Sequence, residues 1–252
     1  MPKLSKKVKK VRLDDLLVEK AHVADRERAL AMVMAGRVLV GGQKVRSPAL
    51  LVDPKCEIRL LGLRRFVSRG GDKLQSAIEG LALQPLFQEA VVMDVGASTG
   101  GFTDCCLQNG AKKVYAVDVG SNQLAWKLRQ DDRVEVMEKT DIRSLVGNFR
   151  EKLDWVVADI SFNSLDNLLP SILAVISDRR LHLLLLIKPQ FELEAELVPK
   201  GGVVTDEGLQ RLACQRVQSK LEELGLKVLA TLASKVLGRS GNQEYFVLAL
   251  QE

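Results

Sequence analysis

The spacing of hydrophobic positions along the chain changes character partway along. Across residues 12–20 (RLDDLLVEK), Leu13, Leu16 and Leu17 recur on one helical face. A second helical pattern, DRERALAMVMAG, follows with Asp25 placed as an N-cap and Gly36 as a stop. Its apolar side is Ala29, Leu30, Met32 and Val33. Two short β-type runs around Gly41-Gly42 read as a hairpin, and residues 57–61 as one more strand. From Val91 onward, strand and helix signals alternate. Strands are expected at 91–95, 114–119, 134–138, 153–160 and 181–188, and helices at 101–109, 122–129, 165–176 and 205–224. Such alternation predicts a parallel, doubly wound α/β sheet. The last two runs, 227–236 and 244–250, leave no room for a helix between them and should pair antiparallel. The longest apolar run, 29–35, falls far short of the roughly 20 residues a membrane-spanning helix requires.

Charge sharpens this division. The 252-residue chain is 46% apolar with a net charge of +5, ordinary values for a globular protein. Residues 1–75, however, hold 18 Lys+Arg against 8 Asp+Glu, whereas the remainder holds 19 against 24. A basic module on an acidic body suggests a polyanion partner. Its basic residues begin in a tail (Lys3, Lys6, Lys7, Lys9, Lys10) and continue inside patterned sequence. Arg12, Arg26, Arg28, Arg37, Lys44, Arg64 and Arg65 are the candidate RNA contacts. No apolar stretch follows the basic start, so no secretory signal is expected. Four cysteines without C-x-x-C spacing suit reduced thiols and a cytoplasmic location better than zinc or disulfides. The expected domains are 1–62 and 67–252, joined by a short basic linker at 63–66 that should couple them on RNA docking. Over residues 12–60, RLDDLLVEK, DRERALAMVMAGRVLVGGQKV and SPALLVD resemble the α-L RNA-binding domain, with Asp25-Arg26 where many members carry Ser-Arg. The resemblance implies binding of structured RNA by shape and phosphate contacts.

The chemistry of the larger domain starts at its first strand, which runs into Asp94-Val-Gly96-Ala-Ser98-Thr99-Gly100-Gly101-Phe102. Small residues between strand and helix let a ligand approach the backbone closely. Asp118, at the end of the second strand, suits ribose hydroxyls, and Asp141, after the third, an adenine amino group. The glycine pattern departs from the dinucleotide fingerprint at Ser98, and Asp94 would repel a pyrophosphate. S-adenosylmethionine, which carries a sulfonium and an amino acid, is therefore favoured over NAD. No metal is expected.

Four further residues mark strand ends or their surroundings: Lys73 in SRGGDKL, Asp159 in VVADISF, Lys188 in LLIKPQFE and Glu244 in NQEYFV. A lysine closing a nearly aliphatic run is a poor candidate for a simple solvated charge, and Pro189 biases it toward extended backbone. Together with DVGASTGGFTDCCLQNGAKKVYAVDVG, these segments resemble the TlyA family of rRNA 2′-O-methyltransferases and the wider FtsJ-like group. Asp72 stands where relatives often have His. The resemblance implies a Rossmann-like methyltransferase sheet with an antiparallel last strand. It also implies a catalytic Lys73–Asp159–Lys188–Glu244 set and a cytidine of ribosomal RNA, free or in ribosomal subunits, as substrate. In that reading Lys188 activates the 2′-hydroxyl, Asp159 steers it and Lys73 assists electrostatically. Three other readings remain at this point: a membrane-lytic protein (the family is often labelled haemolysin), a pseudouridine synthase, and a non-catalytic RNA-binding assembly factor. The first lacks a spanning segment and the second a β-rich catalytic domain. His22 and His182 are expected to be structural.

Overall fold

The leucine stripe at the start of the chain folds against its own hairpin. In a computed structural model that describes residues 9–20, 22–23, 25–62, 65–161, 163–176 and 181–251, the chain parts into two compact units between Arg64 and Arg65. Arg64, the first half of the expected linker, and Lys3, Lys6 and Lys7 lie outside the described residues. In the small unit, β1 (Val11–Arg12) leads into α1 (Leu13–Glu19), followed by α2 (Arg26–Met34), β2 (Val38–Val40), β3 (Gln43–Val45), β4 (Leu51–Val52) and β5 (Ile58–Leu60). Asp25 caps α2 by accepting from the Arg28 N–H at 2.7 Å, and Gly36 takes a φ of 65° where the helix stops. β2 lies between β3 and β5, both antiparallel to it, and β1 pairs with β4. Leu13, Leu16, Leu17, Ala29, Met32, Val33 and Val38 fill the core of this unit.

The large unit opens with α3 (Arg69–Gly80) and α4 (Gln84–Phe87). Then come β6 (Val91–Val95), α5 (Gly101–Gln108), β7 (Lys113–Val117), α6 (Trp126–Arg129), β8 (Val134–Met137), β9 (Trp155–Ala158) and α7 (Leu165–Val175). The chain ends through β10 (Leu181–Ile187), α8 (Pro189–Glu192), α9 (Glu207–Glu223), β11 (Lys227–Ala233) and β12 (Tyr245–Gln251). The seven strands run in the order β11-β12-β10-β9-β6-β7-β8. All pairs from β10 to β8 are parallel, and β12 is antiparallel to both of its neighbours, as its short connection demands. Each face of the sheet carries its own apolar layer. Leu183, Leu185 and Ile187 of β10 enter one layer and Leu184 and Leu186 the other, so the strand reads as an unbroken aliphatic run.

Two expectations are corrected. The helix expected at 122–129 shrinks to α6, because the Glu138 carboxylate accepts from the N–H groups of Asn122, Gln123 and Leu124 at 2.7, 2.8 and 3.0 Å. Those residues wrap around an acceptor, with Asn122 at a φ of 55°, instead of bonding along a helix. Strict alternation also fails between β8 and β9, where one 3₁₀ turn (Ile142–Leu145) stands in place of a helix.

The small unit's core is modest, and Leu17 is fully buried in it. Leu17→Ala should cost about 2–5 kcal/mol, comparable to the whole stability of a unit this size. Limited trypsin digestion is expected to cut residues 12–60 much faster in the variant while a fragment beginning near residue 65 persists. Equal loss of both regions would show that they do not melt separately.

Candidate active site

Sheet register decides which side chains meet. Leu185 pairs with Ala158 and Ile187 with Tyr245, so Lys188, Asp159 and Glu244 each lie one residue beyond paired positions at one edge of the sheet. α3 reaches the same edge: a Cβ on Gly70 would lie 3.6 Å from Asp159 Oδ2. The Lys188 backbone is extended, with φ −113° and ψ 102°, consistent with the proline behind it. Its Nζ lies 2.6 Å from Asp159 Oδ1 and donates to Ser161 Oγ at 2.7 Å. Lys73 Nζ lies 2.6 Å from Glu244 Oε2. Lys73, Lys188 and Glu244 are only 7%, 6% and 3% exposed. Gly238 closes over the second pair, since a Cβ there would come within 2.5 Å of Glu244 Oε1.

The glycine turn stands beside this edge. Gly96 and Gly100 have φ of 82° and 92°, and a Cβ on Gly96 would press the Asp159 carbonyl at 3.0 Å. Gly101 permits the closest approach: a Cβ there would collide with Ser68 Oγ and the Gly71 N–H, where α3 begins. Thr99 and Phe102 lie in the same turn, Thr99 accepting from the Ala125 N–H at 3.1 Å and Phe102 stacking with Phe246 at 6.0 Å.

The three strand-end carboxylates have different environments. Asp94 is fully buried, and its Oδ2 accepts from the Thr103 N–H and hydroxyl at 2.9 and 2.6 Å, while Oδ1 has no partner. Burial pushes its carboxyl up to about 7 against the pull of the Thr103 bonds, with the Asp159 and Asp118 carboxylates adding to the rise. Asp118 accepts from the Ser98 and Gly120 N–H groups, both at 2.7 Å, and so ties two strand-end loops together. Asp141 caps the 3₁₀ turn, and the Arg143 guanidinium on both of its oxygens holds its carboxyl down at about 2.

Several participants escaped the sequence reading. Ser161 contacts Lys188 and Thr103 anchors Asp94. Val119, 72% exposed directly after Asp118, is an apolar side chain left open at the edge of the turn. An apolar residue just outside a strand is a faint signal of that kind. Among the described residues, no group of three His, Cys, Asp or Glu is placed to hold a metal ion.

In the small unit, the expected RNA contacts divide. Arg12 and Arg26 are engaged by Asp14 at 2.7 and 3.4 Å, with Asp15 close to both. Arg28 and Arg37 line one shallow hollow along α2, and Lys44 sits exposed on β3. In the large unit, Arg65 lies 3.6 Å from Glu79.

Comparison with known proteins places this geometry. Residues 66–250 match the model of the FtsJ-like methyltransferases and residues 11–58 that of the S4 domain. The chain is 38% identical over 242 residues to a Mycobacterium tuberculosis protein named 16S/23S rRNA (cytidine-2'-O)-methyltransferase TlyA, covering 95% of this chain and 89% of that one. It is 37% identical over 237 residues to Hemolysin A of Brachyspira hyodysenteriae, covering 93% and 98%. A solved structure from Streptococcus thermophilus, described as a hemolysin, superposes with a TM-score of 0.70 at 36% identity, covering 97% of this chain and 89% of that one.

Asp94 makes stability depend on pH. The folded state retains a proton that the unfolded chain releases near its ordinary 3.8. The contribution is therefore complete below about pH 4 and lost as pH rises through about 7, on the order of 4 kcal/mol in all. Asp94→Asn should gain in Tm over the parent protein steadily from pH 5 to 7.5 and then level off. A Tm difference that stays flat across that range would remove the assignment.

Proposed function

The chain belongs to the FtsJ-like methyltransferase family, and from that premise we propose that it methylates a ribose 2′-hydroxyl, at a cytidine of ribosomal RNA, with S-adenosylmethionine as donor. The observation that carries the reading is the pair of buried lysine–carboxylate contacts at one sheet edge, beside a glycine turn and an unpartnered buried carboxylate oxygen.

The residues present suit such a cofactor. Asp94 Oδ1 is a buried acceptor that a cationic amino-acid group would satisfy, and ionising Asp94 is what such a cation favours. Gly96 and Gly100 hold the turn at positive φ, Asp118 follows β7 as the candidate for ribose hydroxyls, and Val119 offers an exposed apolar surface to an adenine face. Asp141 is less suited to hydrogen-bond adenine while Arg143 occupies it. When bound, S-adenosylmethionine supplies an electrophilic methyl group on a sulfonium.

The chain's own part is to prepare the hydroxyl. Lys188 in its amine form accepts the hydroxyl proton, and Asp159, 2.6 Å away, stabilises the ammonium that results. Ser161 fixes the direction of the Lys188 side chain. Lys73, held by Glu244, places a second positive charge at the edge where negative charge develops on oxygen. The small unit, an S4 domain, docks structured RNA. Among the described residues, Arg28, Arg37 and Lys44 form no ion pair and are the groups best placed to meet phosphate. Among those residues, too, no helix is long and apolar enough to cross a membrane.

Tritium transfer from S-adenosylmethionine to separated ribosomal subunits, followed by mapping of the modified ribose, tests the proposal. Lys188→Ala should lower turnover by about 10²–10⁴-fold while cofactor affinity stays within a few-fold. Full turnover in that variant, or methyl found on a base instead of a ribose, would refute it.

A further inference from the structure

Lys188 meets Asp159 and Ser161 past the end of the ladder between their two strands. The pairing of β9 with β10 runs from Trp155–His182 to Ala158–Leu185. Asp159 lies one residue past its end, and Ser161 and Lys188 each lie three past it. The ladder therefore sets the direction of the two segments, but not the 2.6 and 2.7 Å contacts that Lys188 Nζ makes across them. Holding those contacts requires a further link between the segments.

Glu192 provides such a link. It closes α8, four residues after Lys188, and is only 7% exposed. Its Oε2 accepts from the Ser164 hydroxyl at 2.7 Å, and both of its oxygens accept from the Leu165 N–H, at 3.1 and 3.2 Å. Ser164 and Leu165 stand where the segment after β9 enters α7, and Ser164 also caps that helix by accepting from the Asp166 N–H at 3.1 Å. One carboxylate thus joins the segment carrying Asp159 and Ser161 to the segment carrying Lys188. Its own backbone is held by α9, since Arg216 donates to the Glu192 carbonyl and to Glu194 Oε1, both at 3.1 Å. Burial raises the Glu192 carboxyl above the usual carboxylate range, and the Ser164 and Leu165 bonds draw it back. Asp166 adds to the rise, and the Lys188 charge opposes it.

We propose that Glu192 is a positioning residue for methyl transfer: it fastens the two segments together and so keeps Lys188 aligned with Asp159 and Ser161. The proposal rests on the reading above, in which Lys188 takes the hydroxyl proton. Glu192 acts through reach more than through charge, because its oxygens are engaged at the start of α7. Without that fastening both segments can drift, and a misplacement of about 1 Å slows an aligned transfer about a hundredfold.

Variants of the full chain test this, with tritium transfer to ribosomal subunits as the assay. Glu192→Ala should lower kcat by about 10–100-fold, while KM for the subunits and cofactor Kd stay within about twofold. Glu192→Gln keeps the reach and an acceptor for the Leu165 N–H, and should restore kcat to within about threefold of the parent. Glu192→Asp keeps the charge but falls one methylene short, and should behave as Glu192→Ala does. Ser164→Ala should lower kcat by itself and add nothing in the Glu192→Ala background, because both changes break the same link. Cofactor Kd near the parent value shows that a variant is folded. Should Glu192→Ala fail to fold, Ser164→Ala must still lower kcat, and parent-like turnover there overturns the proposal. Lower Tm at unchanged kcat would make Glu192 merely structural. An active Glu192→Asp beside an inactive Glu192→Gln would make charge the operative property. Either result overturns the proposal and leaves 2′-O-methylation standing, whereas absence of any ribose methylation by the parent protein overturns both.

Discussion

Two lysines are buried almost completely, and each has a carboxylate at contact distance. An isolated ammonium in such surroundings would cost several kcal/mol, so each pair stands or falls as a unit. That requirement constrains the fold far from the pairs. Lys188 and Asp159 end adjacent parallel strands, whereas Glu244 must arrive from the opposite direction. The antiparallel β12, inserted between β10 and β11, brings Glu244 to the edge where Lys188 emerges. Lys73 comes from outside the sheet on α3, and α3 can approach so closely because Gly101 lacks a side chain that would collide with Ser68 Oγ and the Gly71 N–H.

The cofactor edge follows the same logic with the opposite sign. Asp94 is buried with one oxygen satisfied by Thr103 and the other by nothing among the described residues. Its carboxyl therefore holds a proton to about pH 7, where the lysine-bound carboxylates already have cations of their own. A strand end that gives up stability in the free protein is one that a cationic ligand can restore. Asp118, by contrast, is braced by backbone N–H groups and works as a loop fastener even without a ligand.

What could be read from the sequence is what local pattern controls. The aliphatic run before Lys188, the turn from Asp94 to Phe102 and the helix–hairpin module each announce themselves within about twenty residues, and the parallel direction of the sheet followed from the strand–helix alternation. Interactions that skip along the chain were not legible. Residues 122–124 look helical until Glu138 takes their N–H groups, and nothing within that segment signals a distant acceptor. Ser161 lies two residues past Asp159, which was noticed, yet its role depends on which way the loop turns after its strand. Asp141 was the opposite case: Arg143, two positions on, was visible all along as the partner that would claim it.

The uneven charge acquires a different meaning once the pairs are drawn. The excess in residues 1–75 overstates the capacity for phosphate, because Arg12 and Arg26 are drawn onto Asp14 and Asp15 within their own unit. Asp14 is buried, and the Arg12 guanidinium holds its carboxyl below the usual carboxylate range, so this cluster fixes the start of α1 in place. Arg28 and Arg37, flanking one hollow, and Lys44 on the hairpin keep their charge outward. A polyanion would then be gripped along α2 and the hairpin, while the arginines nearest α1 hold the helices in register. The acidic balance of the larger unit serves its own interior. Of its carboxylates, Asp159 and Glu244 hold the two lysines, Asp94 and Glu192 anchor the starts of α5 and α7, and Glu138 holds the segment before α6. The net figure of +5 therefore describes neither half. On the proposed reading, affinity for RNA would rest on cations such as Arg28, Arg37 and Lys44, which form no ion pair among the described residues, and chemistry on Lys73 and Lys188, whose carboxylate partners lie at contact distance.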